Sequence, residues 1–246
     1  MLVLLAAVVT GAVAQTHEVT LKAGTVDASN WTISPTVAAA DATVTATYFG
    51  EKKVKSVKAV KKTVPPTFPI ALSAVTKAYI GSVVTADGYV YATTANAAAA
   101  SKTAVAMIIY VSSSTTPTHD DDNGVDYKCL ALALADESGT MNWEAAKTAC
   151  STTKNTSTPV TNAKWMLPST EQWQAMGATE GSSTYGTLRD GFASVGGENM
   201  QPASYWSSTP ASSFVADYYS FISGSWGNDG EMDNSDNYRV RACLAF

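Results

Sequence analysis

The chain has 246 residues, of which 46% are hydrophobic and only 15% charged, against about 25% charged in an ordinary globular protein. That supplies a core for one or two domains and is too apolar for a disordered chain. A net charge of −5 argues against general nucleic-acid binding, and two histidines with three cysteines leave little for a metal centre or histidine-based catalysis.

The N-terminus opens with an apolar run from Leu2 that ends in Ala12-Val13-Ala14 before Gln15, a small-x-small cleavage pattern. Residues 1–14 are therefore expected to be a signal peptide, which would place the protein outside the cell or on its surface. The other reading of this run is a buried β-strand. The run is too short to cross a bilayer, and no later stretch is long enough.

Residues 15–65 carry seven lysines against four acidic residues, and the remainder nine basic against seventeen acidic residues. The break falls at Pro65-Pro66 and Pro69, so 15–65 is expected to be a small β-rich module and 66–79 a proline-containing linker. Within the module, Val19–Leu21, Trp31–Ile33 and Ala42–Tyr48 read as strands between Gly, Asp, Asn and Pro punctuation. The lysines from Lys52 to Lys62 read as the solvated, protected edge of a strand.

Residues 80–246 form the larger domain. Ile80–Val84 and Ala86–Tyr91 read as two strands about an Asp87-Gly88 turn, Ala95–Ala100 is a short helix, and Ala104–Val111 is the strongest strand pattern in the chain. The polar loop Asp120-Asp121-Asp122-Asn123-Gly124 has the look of a calcium loop but lacks the downstream glutamate of an EF-hand, so no metal ligand set is assigned. Tyr127–Leu134 is a further strand. Helices are expected from Asn142 to Cys150, from Pro168 to Met176 with Ser169 capping and Gln172 three residues on, and over Thr187–Val195. Trp143, Trp165, Trp173 and Trp206 read as core anchors, and the cysteines have no metal-site spacing.

Several features of residues 105–246 occur in one order: the strand Leu130–Leu134, the helix start Gly139-Thr140-Met141-Asn142-Trp143, Trp165-Met166-Leu167-Pro168-Ser169, Glu171-Gln172-Trp173, Tyr205-Trp206-Ser207-Ser208-Thr209, and the closing Arg239-Val240-Arg241-Ala242-Cys243-Leu244-Ala245-Phe246. Together they resemble the C-type lectin-like domains of bacterial surface and pilus-associated proteins. The ending is similar to the variable proteins of diversity-generating retroelements. The resemblance implies an α+β fold, two helices on one side of a short antiparallel sheet, preceded here by the small all-β module. It also implies a long-range disulfide between Cys150 and Cys243; the alternative is three free, buried thiols.

In the retroelement proteins a fixed scaffold presents diversified side chains near the C-terminus. Carried onto this sequence, the presented residues are Phe214, Asp217, Tyr219, Ser223, Trp226, Asn228, Asp229, Glu231 and Asn234, with Tyr219 and Trp226 as aromatic anchors. Their mixture of aromatic, Asn, Asp and Ser side chains is that of a binding loop. The Glu-Pro-Asn and Gln-Pro-Asp tripeptides of calcium-dependent sugar sites are absent. The expected function is thus non-enzymatic recognition of a protein or glycan ligand on another surface, without a cofactor, by a secreted or surface adhesin or a retroelement-diversified binder. The alternative is a structural subunit of a pilus, fibre or surface layer. Formylglycine-generating oxidases share the fold, but they need a reactive cysteine pair that this chain does not offer.

Overall fold

The computed structural model describes residues 66–178, 191–230 and 237–246, together with the backbone of six strands in the first 63 residues. The chain divides into two compact units, Met1–Pro66 and Thr67–Phe246.

The first unit contains β1 (Leu2–Ala7), β2 (Thr16–Leu21), β3 (Trp31–Ser34), β4 (Val37–Ala39), β5 (Val44–Tyr48) and β6 (Ala59–Thr63). They form two three-stranded antiparallel sheets, ordered β1-β5-β3 and β4-β2-β6. Residues 2–7 of the expected leader form a strand paired with β5, while residues 8–14 lie outside the described residues. The lysine-bearing β6 is an edge strand, where charge discourages pairing with another chain.

The second unit is α+β, and its sheets are antiparallel. Seven strands run in the order β14-β18-β13-β10-β8-β9-β7: β7 (Ile70–Ala71), β8 (Val83–Thr85), β9 (Tyr89–Tyr91), β10 (Ala104–Val111), β13 (Cys129–Ala133), β14 (Lys164–Met166) and β18 (Cys243–Ala245). A hairpin of β11 (Thr118–Asp120) and β12 (Val125–Tyr127) and a three-stranded sheet of β15 (Ser204–Ser212), β16 (Val215–Ser220) and β17 (Ser225–Gly230) complete it. The stretch expected to be a linker belongs to this unit. Once past Pro69 the chain pairs β7 with β9, and Leu72 and Tyr79 are buried. Apolar residues at 70–72 outweigh the stiffness of the prolines that precede them.

Strand alternation sends successive side chains of the large sheet to opposite faces. In β13, Cys129, Ala131 and Ala133 enter one core while Leu130 and Leu132 enter another; in β18, Leu244 enters the first and Cys243 the second. Helix α1 (Thr94–Ala99), capped by Thr93, contributes Ala97 to the second core. Helix α2 (Trp143–Thr148) starts at the Asn142 cap and runs through one π-turn, Ala149–Thr153, into α3 (Lys154–Ser157). Its Trp143, Ala146 and Cys150 fill the first core. Helix α4 (Thr170–Ala175) places Trp173 in the second, joined there by Met176. The two helices therefore cover opposite faces of the sheet rather than one side of it. The reason is in the strands: every residue of β13 is buried, so both of its faces need a cover.

The Asp87-Gly88 turn forms as expected, with Gly88 at φ +81, and a Cβ there would lie 2.9 Å from the Thr161 carbonyl oxygen. Of the helix expected over 187–195, the described part is a single 3-10 turn, Phe192–Val195.

Candidate functional site

The sheet β15-β16-β17 carries most of the residues expected to be presented. Its register pairs Asp217 with Asn228, Tyr219 with Trp226, Ala216 with Asp229 and Tyr218 with Gly227. Side chains at 217, 219, 226 and 228 share one face of β16-β17, and those at 216, 218 and 229 share the other.

Both faces are largely covered, which changes the expected roles. Tyr219 is 0% exposed and packs edge-to-face with Phe221 and Trp226 in the second core. Trp226 is half-buried, its ring 4.9 Å from that of Tyr219, and its Nε1 donates to the Ala178 carbonyl at 3.2 Å. Residues 225–230 around it, expected to form part of a binding loop, are strand β17. Both residues expected as ligand anchors are thus structural aromatics. On the opposite face Tyr218 packs against Trp206 and Tyr238, and the Tyr238 hydroxyl donates to the Asp229 carboxylate. The Tyr218 ring lies across Gly227 so closely that a Cβ there would come within 2.5 Å of it.

What remains outward is a rim. Phe214, in the turn between β15 and β16, is 75% exposed and follows the exposed residues Ala211, Ser212 and Ser213. Asn228 is exposed and Asp217 half-exposed beside it. Ser223 and Ile222 (74% exposed) sit in the β16-β17 turn, at the other end of β16 and about 20 Å away by strand rise. Glu231 and Asn234 lie outside the described residues.

Asp217 belongs to a polar cluster assembled from distant segments. Thr170 Oγ1 donates to Asp217 Oδ2 at 3.2 Å and lies 3.0 Å from Ser207 Oγ. Thr170 N donates to Thr209 Oγ1 at 2.9 Å, and that hydroxyl in turn donates to Asp122. Burial pushes the Asp217 carboxyl above the ordinary range, the Thr170 hydroxyl opposing and the Asp122 charge adding to the shift. Because the folded pKa lies above the unfolded one, ionised Asp217 costs stability above its folded pKa, and the cost disappears as pH falls below both values. Asp217→Asn should therefore raise the melting temperature at neutral pH, with the gain vanishing in acid; pH-dependent thermal unfolding of the two chains checks this.

The hairpin that delivers Asp122 is docked by its neighbours in sequence. Asp120 is buried, its carboxylate accepting from Ser169 Oγ at 2.5 Å and from the Asn123 backbone N–H at 2.9 Å. Asn123 Nδ2 donates to the Leu167 carbonyl at 3.1 Å and to Ser208 Oγ at 3.0 Å. Ser169 caps α4 with Gln172 completing a capping box, as the sequence indicates. The calcium-like run is thus spent on docking by Asp120 and Asn123, while Asp121 points to solvent.

Toward the other end of the sheet, where Tyr205 pairs with Tyr219, Tyr205 and Arg241 meet at Asp136. The buried Arg241 donates Nε to Asp136 Oδ1 at 2.6 Å and Nη1 to the carbonyls of Ala133 and Glu198 at 3.0 Å each, and its guanidinium lies over the Phe192 ring. The Tyr205 hydroxyl donates to Asp136 Oδ2 at 2.7 Å. The closing Arg-Val-Arg segment therefore acts in packing. All four motif tryptophans are buried, and each indole donates to a backbone carbonyl.

The disulfide implied by the family resemblance is not formed: Cys129, Cys150 and Cys243 are free and buried. Alternation in β18 turns Cys243 into the second core, while Cys150 faces the first, so the two thiols occupy different layers. Burial raises all three thiols, Cys129 to about 11 and Cys150 and Cys243 well above the ordinary value. A reductant should leave the melting temperature unchanged, and a thiol reagent should titrate three groups only after denaturation; a reductant-sensitive melting temperature would contradict the free-thiol state.

The sequence matches no protein-family model and no curated protein. Among solved structures, the chain is similar to a fimbrial protein from Bacteroides ovatus ATCC 8483, with 17% identity and a TM-score of 0.42 over 68% of this chain and 48% of that one. The chain spans about half the length of that protein.

Proposed function

We propose that the second unit is a lectin-like recognition scaffold of a secreted or cell-surface protein, and that it binds a protein or glycan through the rim at Phe214, Asp217 and Asn228. The observation that carries this reading is Phe214, a large aromatic 75% exposed at the tip of a turn of small residues whose base is locked by buried rings. A rigid aromatic supplies contact area at low entropic cost, and small polar neighbours supply adaptable hydrogen bonds. The carboxylates and hydroxyls of Asp217, Asp122, Thr170 and Thr209 add acceptors and donors suited to a polyhydroxylated or polar partner.

The reading is non-enzymatic. Each thiol is buried and held protonated, and His119 is an exposed ring hydrogen-bonded to Asp126 at 2.6 Å. Diversification by a retroelement is the finer form of the proposal. Its test is a reverse-transcriptase gene and a near-identical template repeat in the neighbouring DNA; absence of both would remove that form alone.

Phe214→Ala should weaken binding to a responsive glycan or protein on an array by about tenfold or more, since exposed aromatic anchors carry a disproportionate share of interface energy. The melting temperature should not move, because the ring packs on little. Unchanged binding by this variant would favour the structural-subunit reading.

A further inference from the structure

Asn123-Gly124, at the tip of the β11-β12 hairpin, is the one Asn-Gly pair in the chain. Glycine on the C-terminal side of asparagine leaves the backbone nitrogen unhindered. Gly124 is exposed with φ +62, and a Cβ placed on it would meet nothing within 4 Å. Yet both reacting groups are held. Gly124 N donates to the Asp120 carbonyl at 2.8 Å, and the Asn123 side-chain NH2 donates to Leu167 O and Ser208 Oγ.

We infer that Asn123 is a self-modification site guarded by the fold, and that its amide is the latch joining the hairpin to the start of α4 and to β15. When the hairpin opens, Gly124 N attacks Asn123 Cγ. The N–Cγ bond forms, the Cγ–Nδ2 bond breaks, and ammonia leaves with the former amide proton. Water then opens the cyclic imide at either carbonyl, giving aspartate or isoaspartate. The change is redox-neutral, and water is its only co-reactant.

Conversion removes the latch. An NH2 that donates to the Leu167 carbonyl becomes a carboxylate facing that same oxygen, with Gln172 Oε1 3.5 Å from the former nitrogen and the Asp120 carboxylate bound to the same residue's backbone. Acceptor meets acceptor at Leu167, so the hairpin loses this tie, while Asp120 keeps Ser169 and Asp122 keeps Thr209. Isoaspartate further lengthens the backbone in a turn of fixed register.

The test is incubation of the full chain in mildly alkaline buffer, folded and in urea, followed by peptide mapping for aspartate and isoaspartate at 123. Asn123 should convert before the other asparagines in urea, and about tenfold or more slowly when folded, because exchange of a held turn follows its opening equilibrium. Refolded converted chains, and the variant Asn123→Asp, should show faster hydrogen exchange across 118–127 than the untreated chain. If Asn123→Asp does not fold, the wild-type conversion rates decide. Equal rates folded and unfolded, or unchanged exchange after conversion, would overturn the inference.

Discussion

Asp136→Ala is expected to lower the unfolding free energy by about 3–5 kcal/mol, the cost of leaving a buried partner charge uncompensated. Arg241 is 1% exposed, and among the described residues Asp136 is the one carboxylate paired with its Nε. The same substitution strips the Tyr205 hydroxyl of its acceptor and removes the partner of Arg239 Nη1 at 3.4 Å. Two backbone carbonyls would remain on Arg241, enough to orient the guanidinium but without a countercharge. Urea unfolding monitored by tryptophan fluorescence measures the loss. A shift below about 1 kcal/mol, the worth of an exposed pair, would mean that the guanidinium finds water when Asp136 is gone.

Tyr219→Ala should cost a similar amount, about 3–5 kcal/mol, because truncating a buried aromatic removes transfer energy and leaves a cavity. The ring packs against both Phe221 and Trp226, and the Trp226 indole in turn donates to the Ala178 carbonyl. Phe214→Ala, in the turn just before β16, should leave stability untouched. Thermal unfolding of the two variants side by side separates the rim from the core. A Tyr219→Ala chain with native stability would return that ring to the surface.

The contrast between Phe214 and Tyr219 shows where the sequence was readable and where it was not. Local devices were legible because their chemistry is local: Ser169 with Gln172, the Asn142 cap, the Asp87-Gly88 turn and the apolar strand at 104–111 all form as their residue types dictate. The roles of the β16 residues were not legible, because the fold covers Ala216 and Tyr218 with one core and Tyr219 and Phe221 with the other. The opposite placement of α2 and α4 had a sequence signal, since Cys129-Leu130-Ala131-Leu132-Ala133 has no polar face. The polar cluster had none. Asp122, Thr170, Ser207, Thr209 and Asp217 come together only through the docking of a hairpin, a helix start and two strands.

Binding of the Phe214→Ala, Asn228→Ala double variant to a glycan and protein array, alongside the unmodified chain, tests the central claim most directly. The two side chains are exposed at the rim, so the variant should retain its melting temperature while losing about tenfold or more of the array binding. A double variant that binds as the unmodified chain does would place recognition elsewhere on the molecule and contradict the rim as its ligand face.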